Sequence, residues 1–173
     1  MGPADLAVRL VPLLLSLSVE PHARDEAGEA PALQLRIASA MAREALTAAG
    51  RAAAERLDEP GCAAVFADFK DARGRTLQQR LDQLGRSARG QLQAVFFYDG
   101  VHRRGCQRRR TLAVTEPGSY VVHVCPQFVW SQRRDPEQAP EIVIHELLHT
   151  LGLGENPPSS EEISRHVRAR CGR

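Results

Sequence analysis

The stretch EIVIHELLHTLGLGENPPSS, residues 141–160, decides the fold of this chain. Its first half is apolar on most sides of a helix, because aliphatic residues fill nearly every position: Ile142, Val143, Ile144, Leu147, Leu148 and Leu151. A helix that is apolar over most of its circumference belongs inside a domain rather than on its surface. The pattern therefore predicts a central buried helix that starts near Pro140 and runs through His149.

Two histidines and a glutamate interrupt this apolar helix. His145 and His149 lie on one face, one turn apart, where both imidazoles can bind the same zinc ion at about 2.0–2.1 Å. Glu146 lies about 100° further round the helix, where its carboxylate can take a proton from a zinc-activated water. The alternative is a pair of core histidines satisfied by hydrogen bonds. Because an unpaired buried polar group costs about 1–3 kcal/mol, we expect the metal site.

A catalytic zinc ion needs a third protein ligand and one open position. Gly152 is placed to end the helix in a left-handed turn that sends the chain back, and Glu155 then follows as the third ligand. Glu161 and Glu162 are the rival ligands. Glu162 stands three residues after Ser159, the spacing of a capping box at the start of a last helix. We expect the set His145, His149 and Glu155.

The segment HELLHTLGLGE (145–155) resembles the active-site helix of the zincin metallopeptidases, and its extended form is similar to the metzincin pattern. The lead-in HVCPQFVW (123–130) resembles the deuterolysin and lysine-specific secreted endopeptidases, which also carry a Cys-Pro segment before the helix. The resemblance implies a zincin-like domain and a zinc endopeptidase whose base is Glu146. It also implies that the strand before the helix, residues 119–125, lines the cleft and pairs with the bound peptide.

The rest of the chain predicts a single α+β domain. Two long N-terminal helices are expected over residues 33–57 and 76–89, and a buried strand over residues 92–100. Residues 111–125 contain two strands joined at a Pro-Gly turn, so the small sheet is expected to be mostly antiparallel. The active-site helix and a short C-terminal helix complete the domain, with a connecting helical turn before them.

The N-terminal residues predict export. Arg9 precedes an apolar run, residues 10–19, which has the length of a signal-peptide core and is too short to span a bilayer. We therefore expect a signal peptide over residues 1–23, a linker over 24–31 and the domain over 32–173. The alternative for the apolar run is an ordinary buried element at the start of the domain.

Four cysteines support the same interpretation, because none forms a CxxC pair. Isolated cysteines after an export signal indicate disulfides in an oxidising compartment, so the protein is expected to be secreted or periplasmic. Of the three pairings, we favour Cys106–Cys125, which bracket the predicted hairpin, and Cys62–Cys171. The alternative is four buried free thiols.

Charge says little about partners. The net charge of +2 is too small to imply a nucleic-acid partner, and the arginine-dense segment 102–110 is expected to be a solvated loop rather than a site for anions. We expect a monomer that acts on a peptide or protein. Two alternative functions are a zinc-binding module without activity and a zinc hydrolase of non-peptide bonds. The group that stabilises the oxyanion stays open among four residues: Tyr98, Tyr120, His123 and His166.

Overall fold

The computed structural model describes residues 33–172. Within them, one sheet contains the strands β1 (Gln34–Arg36), β2 (Phe96–Asp99), β3 (Ala113–Thr115) and β4 (Val121–Val124). The strand order is β1-β2-β4-β3, in which β1–β2 and β2–β4 are parallel and β3–β4 is antiparallel. With the helices given below, this confirms the predicted α+β class.

The expectation of a mostly antiparallel sheet is wrong, because the sheet is mixed and only the β3–β4 pair is antiparallel. The predicted Pro-Gly hairpin is present, and Gly118 at its turn has the positive φ of 81° that favours glycine. The chain, however, leaves β2, lays β3 at the sheet edge, and returns with β4 between β3 and β2. In addition, β1, the parallel partner of β2, lies within residues 33–57, for which a helix was expected.

The helices are α1 (Ala40–Leu57), α2 (Pro60–Ala63), α3 (Val65–Asp68), α4 (Leu77–Leu84), α5 (Ala88–Gln93), α6 (Gln127–Arg134), α7 (Gln138–Thr150) and α8 (Ser160–Cys171). A 3₁₀ turn spans Arg104–Gln107. The first predicted helix begins later than expected, since Ser39 caps α1 by accepting from the N–H of Ala42. The second divides into α4 and α5, because Gly85 ends α4 in a left-handed conformation and Ser87 caps α5.

Helix α7 occupies the centre of the domain. It packs against α1, α6, α8 and β3, and the aliphatic residues of its sequence belong to the same core as Phe97 and Val122 of the sheet. Such a helix has no solvent-facing stripe, as its composition predicts. Its polar residues must therefore be satisfied by the elements that surround it.

Both predicted disulfides are present: Cys62 of α2 joins Cys171 at the end of α8, and Cys106 joins Cys125 after β4. In the described part of the chain no helix is both long and apolar enough to cross a membrane. The expected signal peptide (1–23) and linker (24–31) lie outside the described residues.

Candidate metal centre

Helix α7 brings the two histidines of the motif together. The Nε2 atoms of His145 and His149 lie 3.0 Å apart, and both side chains are buried. Glu155 Oε1 lies 3.7 Å from His145 Nε2 and 3.4 Å from His149 Nε2. Four-coordinate zinc with ligands at about 2.0–2.2 Å places any two ligand atoms about 3.3–3.5 Å apart. The three measured separations bracket that value, so these residues form a group that could hold such an ion.

The turn after α7 returns Glu155 to the histidines. Gly152 has φ 104°, its N–H donates to the carbonyl of His149 (2.9 Å), and the next N–H, of Leu153, donates to Leu148 (3.3 Å). A Cβ on Gly152 would lie 3.3 Å from the Cβ of Asp71, so the turn packs tightly against the loop before α4. The left-handed turn that the sequence predicts at Gly152 is confirmed.

The rival ligands lie elsewhere. Glu162 forms the predicted capping box with Ser159: its Oε2 accepts from the Ser159 N–H (2.8 Å) and hydroxyl (2.7 Å). These hydrogen bonds hold the pKa of Glu162 below its usual value. Glu161 is exposed in the first turn of α8. Among residues 33–172, the carboxylate grouped with the two histidines is that of Glu155.

Each imidazole is oriented through its Nδ1 atom. His149 Nδ1 lies 2.7 Å from the carbonyl oxygen of Leu153, which can only accept, so Nδ1 carries the proton and the Nε2 lone pair faces the centre. His145 Nδ1 lies 3.0 Å from Ser164 Oγ on α8. Burial, and then the neighbouring His149, lower the pKa of His145 to about 4. Two Nε2 lone pairs at 3.0 Å repel each other unless a cation or a proton lies between them.

Glu146 does not belong to the group of residues that could hold a metal ion. Its side chain borders the cavity described below, and within residues 33–172 its Oε2 atom is buried without a hydrogen-bond partner. Burial is the largest influence and raises the pKa of Glu146, while His149 and the nearby Thr115 hydroxyl act in the opposite direction. A buried carboxylate oxygen without a partner is costly, which argues for a water or substrate group beside it.

A cavity of about 400 Å³ lies over the three grouped residues and Glu146. Its walls come from β3 and the turn after it, from α7, from Glu155 and the first residue of α8, and from the loop before β3; the lining residues outside the centre are Gly105, Arg108, Thr111, Ala113, Val114, Thr115, Pro117 and Ser160. An edge strand of the sheet, β3, therefore forms one wall of the cavity.

The strand expected to bind a peptide, residues 119–125, does not lie at this cleft edge. Its core, β4, is paired on both sides, with β2 and with β3, so it has no free edge for a further strand. β3 is one of the two edge strands of the sheet, and it lines the cavity. The expectation for residues 119–125 is therefore wrong, because the chain inserts β4 between β2 and β3.

The four candidate oxyanion donors do not line the cavity. Tyr120 lies beside Arg86, Tyr98 contacts His123, and His166 lies 2.8 Å from Asp68 Oδ2. Outside the histidines, the side-chain donors that do line it are those of Arg108, Thr111, Thr115 and Ser160. None of these four was predicted from the sequence, and neither was Ser164; the one available signal was the position of Ser160 next to the predicted cap at Ser159.

No match was found to any known protein family, to any curated protein or to any solved structure.

Proposed function

We propose that this protein is a zinc-dependent metallopeptidase of zincin type, with His145, His149 and Glu155 as ligands and Glu146 as the general base. The observation that carries the proposal is the convergence of Nε2, Nε2 and Oε1 at tetrahedral separations beside Glu146, a buried carboxylate of which the Oε2 atom has no hydrogen-bond partner among the described residues. Two imidazoles and one carboxylate form a donor set that suits zinc. The unpartnered Glu146 oxygen distinguishes this arrangement from a purely structural site, which has no use for a base.

Zinc bound there would supply Lewis-acid chemistry, polarising a carbonyl and bringing the pKa of a bound water to about 7. The residues of the chain supply the rest. Glu146 Oε2 accepts the proton of the attacking water and afterwards delivers it to the leaving amine. Leu153 and Ser164 keep the imidazole rings in place, and the walls of the cavity limit access of bulk water.

A peptide substrate fits the open edge of the sheet. An extended peptide can add to an edge strand through main-chain hydrogen bonds, and β3 presents such an edge with Thr115 beside Glu146. This arrangement favours peptide-bond hydrolysis over hydrolysis of a compact non-peptide substrate. The two disulfides fit secretion or a periplasmic location, which we propose together with a monomeric state.

The test combines metal analysis with cleavage. The purified full chain is dialysed, its zinc content is measured, and a mixed peptide library is incubated with the wild type, with Glu146→Gln and with Glu161→Gln as the matched control. The expected result is about one zinc per chain in all three proteins, with cleavage lost in Glu146→Gln alone. Zinc binding without cleavage by the wild type would favour the inactive zinc-binding module, and absence of any bound metal would return the histidines to a structural role.

A further inference from the structure

The loop between β2 and β3, residues 100–112, brings one arginine to the cavity. We name it the arginine loop, since five of its side chains are arginines: Arg103, Arg104, Arg108, Arg109 and Arg110. Of these five, Arg108 lines the cavity over the metal centre, together with Gly105 and Thr111 of the same loop. The loop is exposed, as predicted, but its position places it beside the centre.

The backbone of the arginine loop is held tightly to the sheet. A Cβ on Gly105 would lie 2.7 Å from Val114 Cγ2, so the 3₁₀ turn lies directly on β3. The disulfide to Cys125 anchors Cys106, and Gln127 Nε2 donates to the Cys106 carbonyl (3.0 Å). The Thr111 N–H donates to the Arg108 carbonyl (3.1 Å). The start of the Arg108 side chain is therefore fixed relative to the edge strand, although its head reaches solvent.

Arg108 is a cationic side chain that lines the cavity without an acidic partner among the described residues. The other ionisable groups that line the cavity are His145, Glu146, His149 and Glu155, which together form the metal centre. In the described part of the chain no carboxylate lies within ion-pair distance of the Arg108 guanidinium, whereas Arg103 of the same loop is paired with Glu116 at 3.5 Å. A guanidinium left without a carboxylate at the rim of a cleft is available to bind one.

The charge of the rim differs from one part to another. The start of α8, whose Ser160 lines the cavity, carries Glu161 and Glu162 in its first turn rather than cations. The arginine loop supplies positive charge at the N-terminal end of β3. An acidic side chain is therefore attracted at the Arg108 part of the rim and repelled at the α8 part.

We propose, resting on the proposed peptidase function, that Arg108 makes the cleft select peptides with an acidic side chain on one side of the scissile bond. The side is the one that faces the N-terminal end of β3. Thr111 lies four positions before Thr115, the residue beside Glu146, and strand residues rise about 3.3 Å each, so the path along β3 to the arginine loop corresponds to about four substrate residues. The selected peptide carries Asp or Glu within that distance of the cleaved bond.

The size of the preference follows from the exposure of Arg108. An ion pair at a solvated rim is weak, and a bidentate guanidinium–carboxylate pair is stronger, so a preference of about 3–10-fold in kcat/KM for Glu over Lys is expected. Because the Debye length falls to about 3 Å at 1 M salt, the preference should weaken with added salt. The ligands of the metal are not involved, so zinc content should stay unchanged.

The test uses the zinc-loaded full chain and peptides that differ by Glu, Gln or Lys at one position, scanned along both sides of the cleaved bond. The variants are Arg108→Glu and, as a matched control, Arg109→Glu, whose residue borders a different surface depression. The wild type and the control should prefer Glu by about 3–10-fold on one side of the bond, and Arg108→Glu should prefer Lys there. Equal rates for the three peptides, or the same preference on both sides, would overturn the inference.

Binding separates this inference from the proposed function. The same peptides, labelled with a fluorophore, are titrated by anisotropy into zinc-loaded Glu146→Gln with and without Arg108→Glu. One outcome is that the wild type cleaves no peptide, while binding favours the Glu peptide and Arg108→Glu abolishes that preference. The recognition of acidic peptides then stands, and the peptidase activity fails. If cleavage occurs without a charge preference, the peptidase function stands and the role of Arg108 fails. If there is neither cleavage nor charge-dependent binding, both the peptidase function and the role of Arg108 fail.

Discussion

The backbone N–H of Gly118 donates a hydrogen bond of 2.8 Å to the carbonyl oxygen of His149. The same oxygen accepts from the N–H of Gly152 at 2.9 Å. One carbonyl on the ligand helix thus joins the turn of the β3–β4 hairpin to the turn that returns Glu155. The edge strand and the candidate metal centre are therefore positioned by a shared contact.

Replacing Gly118 by alanine tests this contact. Gly118 has φ 81° and Gly85 has φ 61°, and an added Cβ would meet no atom within 4 Å at either position. Ala at either position should therefore cost about 1 kcal/mol in free energy of unfolding. Only Gly118→Ala should also reduce kcat/KM, because it displaces β3 relative to His149. Urea unfolding and peptide cleavage measure the two effects. Equal activity of both variants would show that the turn does not position the centre.

Loss of a hydrogen bond to a metal ligand lowers metal affinity by about 10–100-fold. Glu155→Gln changes a ligand itself and should weaken zinc binding by more than that. The reason is that the neutral amide removes the one carboxylate grouped with the two histidines. Competition with a chromogenic chelator measures the affinity. Glu161→Gln, an exposed change in the first turn of α8, serves as the control. Unchanged affinity in Glu155→Gln would assign the third ligand to another residue.

Ser164→Ala should weaken zinc binding by about 10–100-fold without abolishing it. The change removes the hydroxyl that lies 3.0 Å from His145 Nδ1 and so frees the ring to rotate. Ser131→Ala is the matched control, since Ser131 also makes a partly buried side-chain hydrogen bond, to Gln138 at 2.8 Å, but does not contact the histidines. Affinity loss of the same size in both variants would contradict an orienting role for Ser164.

The two disulfides should contribute unequally to stability. Their sequence separations are 109 residues for Cys62–Cys171 and 19 for Cys106–Cys125, and loop-closure entropy predicts about 4.5–5 and about 3 kcal/mol respectively. Double Cys→Ser variants of each pair, compared by urea unfolding, check this order. The Cys106–Cys125 variant should nevertheless lose more of the charge preference among substrates, because it releases the arginine loop. The reverse order of stabilities would indicate residual structure in the unfolded chain.

Asp71 should make stability depend on pH in the acid range. Burial acts to raise its pKa, but the Arg75 side chain and the N–H groups of Arg73 and Arg75 outweigh it and hold the pKa below the usual 3.8. The folded state therefore binds this proton less readily than the unfolded state. The contribution of Asp71 is present above about pH 4 and is lost as the pH falls through the folded-state pKa.

The check is the free energy of unfolding of the wild type and Asp71→Asn between pH 7 and pH 2. Asn should cost about 1–2 kcal/mol at pH 7, the scale of a charge-assisted hydrogen bond, and the difference between the two proteins should shrink below pH 4. A difference that is constant with pH would mean that the hydrogen-bond geometry, and not the charge, carries the effect.

The parts of the structure that the sequence predicted correctly depend on local signals. The apolar composition of α7, the glycine after it and the Ser159–Glu162 cap each act within a few residues, and each is present. The cysteine pairing was also correct, because the predicted hairpin between Cys106 and Cys125 exists. The grouping of Glu155 with the histidines follows from the same short turn.

The remaining features depend on contacts that are distant in sequence. β1 is three residues long and pairs with β2 far along the chain, with Gln34 opposite Phe96, and so short a segment carries no periodic signal of its own. The order of β3 and β4 in the sheet brings β3, which packs against α7, to the edge, and a hairpin signal alone does not fix that order. Ser164 lies beside His145 from α8, and Arg108 lines the cavity from a loop; serine and arginine are common in such places for other reasons.

The two disulfides anchor different walls of the cleft. Cys106–Cys125 holds the arginine loop, and Cys62–Cys171 holds the far end of α8, the helix that carries Ser164. In a reducing cytosol neither bond persists, so both walls would lack their covalent anchors during synthesis. With the peptidase function and the export proposed above, the cleft would be least organised inside the producing cell and would become complete only in an oxidising compartment. The producing cell would thereby be spared digestion by its own product.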